Sequence, residues 1–528
     1  MTNPFDDITA PDVDVIMLVG SNPEEAHPVL GTKIRRAVRE GCKLIVVDPR
    51  KIDLAKNAEI HLQVKAGTNV AFANGMMHII LEDGLADMEF IKSRTEGFEE
   101  LKEIVKDYTP EKVAEVCGIS AGDLRRAAHL YAKAGKAPIM YCLGVTEHST
   151  GTEGVMSLSN LAMMVGKIGR SGCGINPIRG QNNVQGACDM GCLPGDFPGY
   201  QKVKNPDALK KFSEHWGVPL NPAVGITATR MPEAVADGKV KALYIFGEDP
   251  VRTDPDIGHI KKMLKSLDFL VVQELFMTKT AEYADVVLPG VSYAEKEGTF
   301  TNSERRVQRI RKAVELEGEM RPDAEIFYDV MNRLGYPQPT LSASEIMEEI
   351  AALTPSYHGI SHARLDAGET LQWPCKDEKD KGAAILHVGK FTRGLGYFYP
   401  AKYKPSAELP DGEYPFTMIT GRMLYHYNAG AMTQRTEGLN ELYPSSYMEM
   451  HKSDADSLGI KNGDRVKVAS RRGEIETVAL VGDKVNYGEV FMTFHFEDGN
   501  ANYLTNAATD SFANVPEYKV CAVRIQRA

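Results

Sequence analysis

The chain has 528 residues, 43% of them apolar and 25% charged, the balance of a globular protein long enough for several domains. Its net charge of −11 argues against a general nucleic-acid surface. No run of about 18 apolar residues exists, so no helix is expected to span a membrane. The opening Met1-Thr-Asn-Pro-Phe-Asp-Asp7 is acidic and does not read as a signal peptide. Eight cysteines are scattered along the chain and none forms Cys-x-x-Cys, so these residues encode neither a zinc ribbon nor a ferredoxin-type cluster site. Reduced cytosolic thiols are the default. Cys188 and Cys192 have no second pair and read as packing residues.

Residues 13–20 read as a buried parallel strand, broken at Ser21-Asn22-Pro23. A helix fits 28–40 and a second buried strand fits 43–47, closed by Asp48-Pro49-Arg50, which together make a βαβ unit. The Gly-x-Gly-x-x-Gly fingerprint is absent. What remains is a strand–glycine turn at Gly20 with an acidic residue, Asp48, 28 positions on, at the end of the second strand. A second copy follows: a strand over 242–246, Gly247-Glu248-Asp249-Pro250, a helix over 256–267, and a strand over 269–272 ending in Gln273-Glu274. With Gly20 aligned on Gly247, the acidic residue falls 28 positions on in one copy and 27 in the other. Ala58-Glu59-Ile60 and Ala284-Asp285-Val286 then fall 10 to 12 positions after Asp48 and Glu274. Spacing kept over so many residues implies two related α/β domains, which offer either two nucleotide sites at their strand ends or duplicated scaffolding.

Between the copies the chain reads as helical. Residues 99–106 are amphipathic, Thr109-Pro110 is an N-cap with proline in the first turn, and Ser120 starts a helix running to 134. A strand is expected over 137–143, ending in Gly144-Val145-Thr146-Glu147-His148, and a helix over 153–165. His148 reads as a loop histidine hydrogen-bonded at a strand end, with a catalytic base as the alternative.

Residues 174–194, Gly-Ile-Asn-Pro-Ile-Arg-Gly-Gln-Asn-Asn-Val-Gln-Gly-Ala-Cys-Asp-Met-Gly-Cys-Leu-Pro, show neither a helical nor a strand period. Glycines recur, the carboxamides of Gln181, Asn182, Asn183 and Gln185 supply neutral donors and acceptors, and Arg179 is the one cation. Such a segment suits close backbone approach to a ligand, with a guanidinium that grips a small planar anion through two parallel hydrogen bonds. It suits equally a Gly-rich surface loop whose arginine points to water.

This run resembles the active-site segment of molybdopterin-dependent formate dehydrogenases, where Arg-Gly-Gln-Asn-Asn-Val-Gln-Gly borders the metal. The resemblance extends from Met1 to the tail at Lys519 and Arg524. Beyond the second copy, residues 295–410 loosen. Arg305, Arg306, Arg309, Arg311 and Lys312 cluster there, either over phosphates or on a solvated face, and the family pattern favours partial contact with the cofactor. Helices fit 324–334 and 342–353, and the stretches at Trp373-Pro374 and 394–400 read as loops. Residues 414–527 turn β-rich, with strands at 416–420, 465–469 and 474–481, a hairpin at Arg471-Arg472-Gly473 and a short helix at 453–459. Several such strands suggest a closed barrel. Arg422, Tyr425 and His426 fall in a stretch similar to the family's loop over the pterins, and Asn502 and Lys519 fall in its C-terminal motifs.

The resemblance implies an α/β fold with two pseudo-repeated parallel-sheet dinucleotide-binding domains, 1–181 and 182–293. A mixed helical and loop region, 294–410, and a C-terminal barrel, 411–528, would follow. It further implies a cytoplasmic enzyme of anaerobic metabolism that interconverts formate and CO2 at molybdenum or tungsten held by two molybdopterin guanine dinucleotides. Two electrons would leave through a 4Fe-4S cluster to iron–sulfur partner subunits of hydrogenase or NAD-linked type. Arg179 would hold the formate carboxylate and Gln181 would orient near the metal ligands. One dinucleotide would be bound by Gly20, Asn22, Asp48, Arg50, Gly67, Asn69 and Gly144, and the other by Gly247, Asp249, Gln273 and Glu274. Arg422, Tyr425, His426, Asn502 and Lys519 would close over the pterins. Complete members of the family begin with a four-cysteine cluster domain and a metal-ligating selenocysteine or cysteine followed by histidine, and Met1 aligns past both. The expectation is a gene start placed after a UGA selenocysteine codon, and an isolated chain that binds little metal. The rivals are another molybdopterin oxidoreductase, such as a periplasmic nitrate reductase, and a non-catalytic scaffold subunit of a respiratory complex.

Overall fold

Five parallel strands, Val15–Val19 (β1), Lys43–Val47 (β2), Ile60–Leu62 (β3), Ile139–Tyr141 (β4) and Ile175–Pro177 (β5), lie in the order β3-β2-β1-β4-β5. They belong to the larger of two compact units in the computed structural model, which describes residues 1–528. That unit comprises 1–180, 250–261 and 385–528, and the second comprises 181–249 and 262–384. β1 is buried along its whole length. Val15, Met17 and Val19 join a core with the helix Asn69–Glu82, while Ile16 and Leu18 join one with the helix Pro28–Arg39. Successive strand residues point to opposite faces, so a strand covered on both faces needs the unbroken apolar run seen here. Thr109 and Ser120 cap the helices Pro110–Cys117 and Ala121–Lys133 as expected, accepting from the backbone N–H of Lys112 and Asp123 at 3.4 and 3.3 Å.

In the second unit Ala242–Phe246 (β6), Phe269–Glu274 (β7) and Val286–Pro289 (β8) are parallel in the order β8-β7-β6, the order of β3-β2-β1. The repeat extends to single hydrogen bonds. Gly20 N–H donates to Val47 O at 2.9 Å and Gly247 N–H to Gln273 O at 3.0 Å. Glu59 N–H donates to Leu44 O at 2.8 Å and Asp285 N–H to Leu270 O at 2.9 Å. Both glycines sit at positive φ, +53° and +63°, where a side chain would strain the turn. Gly298–Thr301 (β9) and Arg306–Ile310 (β10) form a hairpin. Its turn corrects one expectation: Arg305 neither faces solvent nor projects as a free cation. It is buried at φ +70°, donates to the carbonyls of Ala383 and Ala384 at 2.9 and 2.7 Å, and lies over the Trp373 ring.

The larger unit ends in a closed barrel. Phe416–Gly421 (β11), Tyr447–His451 (β12), Arg465–Ala469 (β13), Glu474–Gly482 (β14), Glu489–Thr493 (β15) and Cys521–Arg527 (β16) close in the order β11-β15-β12-β14-β13-β16. Met448, Met450, Val466, Val468, Val490 and Met492 fill its interior. No helix is long and apolar enough to cross a membrane.

Three local readings are corrected. The strand expected over 137–143 is only Ile139–Tyr141, because Leu143–Thr146 already forms a helical turn. The run at 174–194 is not aperiodic throughout: it contains β5 and the helix Val184–Asp189, both too short to show a period. Cys192 is exposed beyond that helix and does not pack.

Candidate functional site

In the first sheet the strand order reverses between β1 and β4, and at such a switch point the strand ends diverge and leave a crevice. Gly20 ends β1 and Gly144 follows β4, with Gly144 N–H donating to Gly20 O at 3.0 Å. A Cβ on Gly20 would lie 2.6 Å from the Gly144 carbonyl carbon, so the contact admits no side chain on either residue. Asn69 Nδ2 donates to Gly144 O at 3.1 Å and fixes the same loop.

The crevice is the floor of a cleft of ≈ 120 Å³ whose roof is the barrel. Its walls gather Gly20, Asn22, Asp48, Arg50, Gly67, Asn69 and Gly144 from the sheet, and Arg422 and Lys519 from the barrel, all expected from the sequence. Val47, Val64, Ile419, Phe491 and Phe494 add apolar surface. Asp48 is not the exposed carboxylate that its strand-end position suggests. It is half-buried, accepts from Arg50 N–H at 2.9 Å, and burial pushes its carboxyl up to about 6. The Arg50 side chain is engaged within the chain. Its Nε and one Nη donate to both Glu449 oxygens at 2.6 Å, the other Nη reaches Glu25 at 3.2 Å, and the guanidinium lies 4.2 Å from the Phe491 ring centroid. Arg50 is therefore a strut between sheet and barrel. Lys519 Nζ donates to Thr420 O at 2.9 Å and pairs with Glu147 at 2.9 Å. Glu489 is buried, accepts from Ala66 N–H and Asn486 Nδ2 at 3.2 and 2.9 Å, and burial pushes its carboxyl up to about 7.

Four buried polar atoms on the cleft wall have no partner within the protein: Ser21 Oγ, Asn22 Oδ1, His148 Nδ1 and Arg422 Nε. Buried polar groups are normally satisfied, so these atoms mark where a ligand's hydrogen bonds belong. With apolar walls beside them, they suit a part of a ligand that carries both polar and apolar groups.

Arg179 follows β5. Ile178 N–H donates to Tyr141 O at 2.8 Å and extends the pairing to the edge of the run. The next two carbonyls are held from two sides: His27 Nε2 lies 2.5 Å from Arg179 O, and Arg422 Nη1 donates to Gly180 O at 2.8 Å. A Cβ on Gly180 would stand 2.5 Å from that guanidinium nitrogen, so a side chain there would push the Arg422 head group aside. Burial lowers the His27 pKa, which favours the neutral ring that donates Nε2–H to the carbonyl. Gln181 is half-buried at the start of the second unit. In that unit Asp189 fastens the helix after the run, accepting from Gln185, Tyr200 and Tyr357 at 2.7, 2.7 and 2.6 Å.

The other expected residues lie elsewhere. Gly247, Asp249, Gln273 and Glu274 stand at the strand ends of the second sheet. Asp249 accepts from Thr280 N–H and Oγ1 at 2.9 and 2.7 Å, Gln273 Nε2 donates to Asp323 at 2.8 Å, and burial raises the Glu274 pKa. Tyr425 and His426 are not on the cleft wall: Tyr425 stacks on Tyr443 at 5.1 Å, and both His426 ring nitrogens are engaged, by Thr433 and Tyr443. Asn502 donates to the carbonyls of Arg252 and Thr253 at 3.0 Å. Ser21, His27, Glu449 and Glu489 escaped sequence reasoning. Charged Glu449 between Met448 and Met450 in a buried strand was the one available signal.

This arrangement is matched by known proteins. A molybdopterin oxidoreductase family model matches residues 1–333, and a "Molydopterin dinucleotide binding domain" model matches 416–522. The chain belongs to the molybdopterin oxidoreductase family. It is 49% identical to the F420-dependent formate dehydrogenase subunit alpha of Methanocaldococcus jannaschii, over 100% of this chain and 78% of that one. It is 40% identical to formate dehydrogenase H of Escherichia coli, over 100% of this chain and 74% of that one. The solved structure of acetylene hydratase from Pelobacter acetylenicus superposes with a TM-score of 0.76 at 20% identity, over 100% of this chain and 79% of that one, a likeness of fold.

Proposed function

We propose that the chain is the body of a formate dehydrogenase catalytic subunit, interconverting formate and CO2 at molybdenum or tungsten carried by two molybdopterin guanine dinucleotides. The observation that carries the reading is Arg179, held by its own and the following carbonyl beside the cleft of a dinucleotide-binding family. The four domains are 1–181, 182–293, 294–410 and 411–528. The first cleft takes one dinucleotide through Ser21, Asn22, Asn69 and His148, with Gly20 and Gly144 allowing close approach of the backbone. The second dinucleotide goes to the strand ends at Gly247, Asp249, Gln273 and Glu274. When bound, the metal centre supplies a two-electron acceptor. These 528 residues include no cysteine set for a 4Fe-4S cluster, so such a cluster, with iron–sulfur partner subunits in the cytoplasm, would take the electrons outside them.

Arg179 presents two parallel N–H donors to the formate carboxylate, which fixes both oxygens and leaves the C–H bond with one direction to point. His27 and Arg422 hold the backbone, so the guanidinium pivots from a fixed point.

Formate-dependent dye reduction by the purified, cofactor-loaded enzyme tests the activity, and nitrate reduction instead would favour the nitrate reductase reading. Arg179→Lys keeps the charge and loses the fork, so the formate KM should rise about tenfold and kcat should fall. Unchanged formate kinetics would remove Arg179 from the mechanism.

A further inference from the structure

His148 lies four residues beyond Gly144, in the loop that forms one side of the crevice. It is 3% exposed. Its Nε2 is 3.0 Å from Gly144 O. A carbonyl only accepts, so Nε2 carries the hydrogen. Burial holds the ring pKa down to about 4, with Lys519 acting in the same direction. The ring is therefore neutral, and Nδ1 is a bare lone pair. That Nδ1 is buried, has no partner and faces no other group of the protein at hydrogen-bond distance.

We infer that His148 is a ligand-reading residue, whose Nδ1 accepts a hydrogen bond from an N–H or O–H of the dinucleotide bound in the first cleft. The inference rests on the cofactor reading above and specifies one contact within it. The chemistry selects the part of the ligand. A phosphate oxygen has only lone pairs near neutral pH and would repel Nδ1, so the partner is a ring or exocyclic amine or a ribose hydroxyl. The Gly144 carbonyl sets the tautomer and so makes Nδ1 an acceptor. An imidazole hydrogen-bonded the other way would present a donor and reject the same group.

The two ring nitrogens can be replaced separately. His148→Asn places an amide oxygen at the distance of Nδ1 from the backbone. His148→Gln places an amide nitrogen at the distance of Nε2, keeping the bond to Gly144 O and the loop that depends on it. Each variant is purified from cells that make the cofactor, dialysed, and assayed for pterin and guanine nucleotide per chain, a readout independent of turnover. His148→Asn should retain cofactor within about twofold of the wild type, whereas His148→Gln should lose it roughly tenfold faster, about what one unsatisfied buried acceptor is worth. Equal retention by the two variants, whether both high or both low, would overturn the inference. A wild-type enzyme carrying no pterin would instead sink the cofactor reading, and this inference with it.

Discussion

Glu449→Ala tests whether Arg50 is a strut or a cofactor ligand. Glu449 and Arg50 are 6% and 5% exposed and joined by two hydrogen bonds of 2.6 Å. Removing one partner of a buried pair typically costs about 3–5 kcal/mol, mostly because the other charge stays buried and unpaired. Here Arg50 keeps Glu25 at 3.2 Å and the Phe491 face at 4.2 Å, which places the loss at the low end, about 3 kcal/mol. With about 2.1 cal/mol/K of unfolding entropy per residue over the larger unit, that becomes a fall in Tm of about 4 °C, read by scanning calorimetry on cofactor-free protein at pH 7. Arg50→Ala should cost more, because it takes the pairing cation from both Glu25 and Glu449 and leaves Glu449 only Lys484 at 3.6 Å. A Glu449→Ala shift below about 1 °C would refute the strut. If cofactor retention collapsed at the same time, Arg50 would return to the ligands.

The raised Glu489 carboxyl predicts a pH effect. Its folded pKa of about 7 lies above the ordinary 4.5, so the protonated form favours folding. That contribution is complete below about pH 4.5 and is lost as pH rises through about 7; it amounts to about 3 kcal/mol at 1.36 kcal/mol per pKa unit. Glu489→Gln should flatten the decline in Tm between pH 5 and 8, set as about the window of that titration, and parallel curves for variant and wild type would contradict it. Gly144→Ala places a Cβ 2.6 Å from Gly20 Cα, a backbone contact that cannot yield cheaply. It should destabilise by about 1–3 kcal/mol and strip cofactor from the first cleft, and normal pterin content in a well-folded variant would disprove the close-packed switch point.

Much of this was legible because it is periodic. The two βαβ copies announce themselves through a spacing that the sheets share down to the Gly20 and Gly247 hydrogen bonds, and β2 and β6 begin and end where the apolar runs do. Arg179 was legible for the opposite reason: it is the one cation in a run too polar to be explained by burial. What stayed hidden depends on residues far apart in sequence. Arg50 reads as a free strand-end cation until Glu449, 399 residues away, folds onto it. Asp48 ends a strand, and only the fold shows that burial raises its pKa. His27 precedes a proline at a helix start and shows its role only once its ring reaches Arg179 O. Tyr425 and His426 belong to a recognisable stretch, yet their side chains turn onto Tyr443 and Thr433 and away from the cleft wall.

The way the cleft spends its charges bears on how it chooses a ligand. A dinucleotide is anionic and the chain is net acidic, so a basic patch would be the simple solution. Three of the cations on these walls make bonds within the chain instead, Arg50 to Glu449 and Glu25, Lys519 to Glu147 and Thr420 O, Arg422 to Gly180 O, while Lys65 is exposed. Burial raises the pKa of the acids beside them, Asp48 to about 6 and Glu489 to about 7. Three of the four buried groups left with unmet capacity are neutral, Ser21 Oγ, Asn22 Oδ1 and His148 Nδ1, and Arg422 Nε is the charged one. Fixed charges attract any anion, whereas oriented neutral acceptors accept only a ligand whose donors fall in the same places, and a mismatch leaves them buried and unpaired. Under the proposed reading, the neutral groups of the first cleft would select its ligand by donor pattern, and the paired charges around them would hold those groups in place.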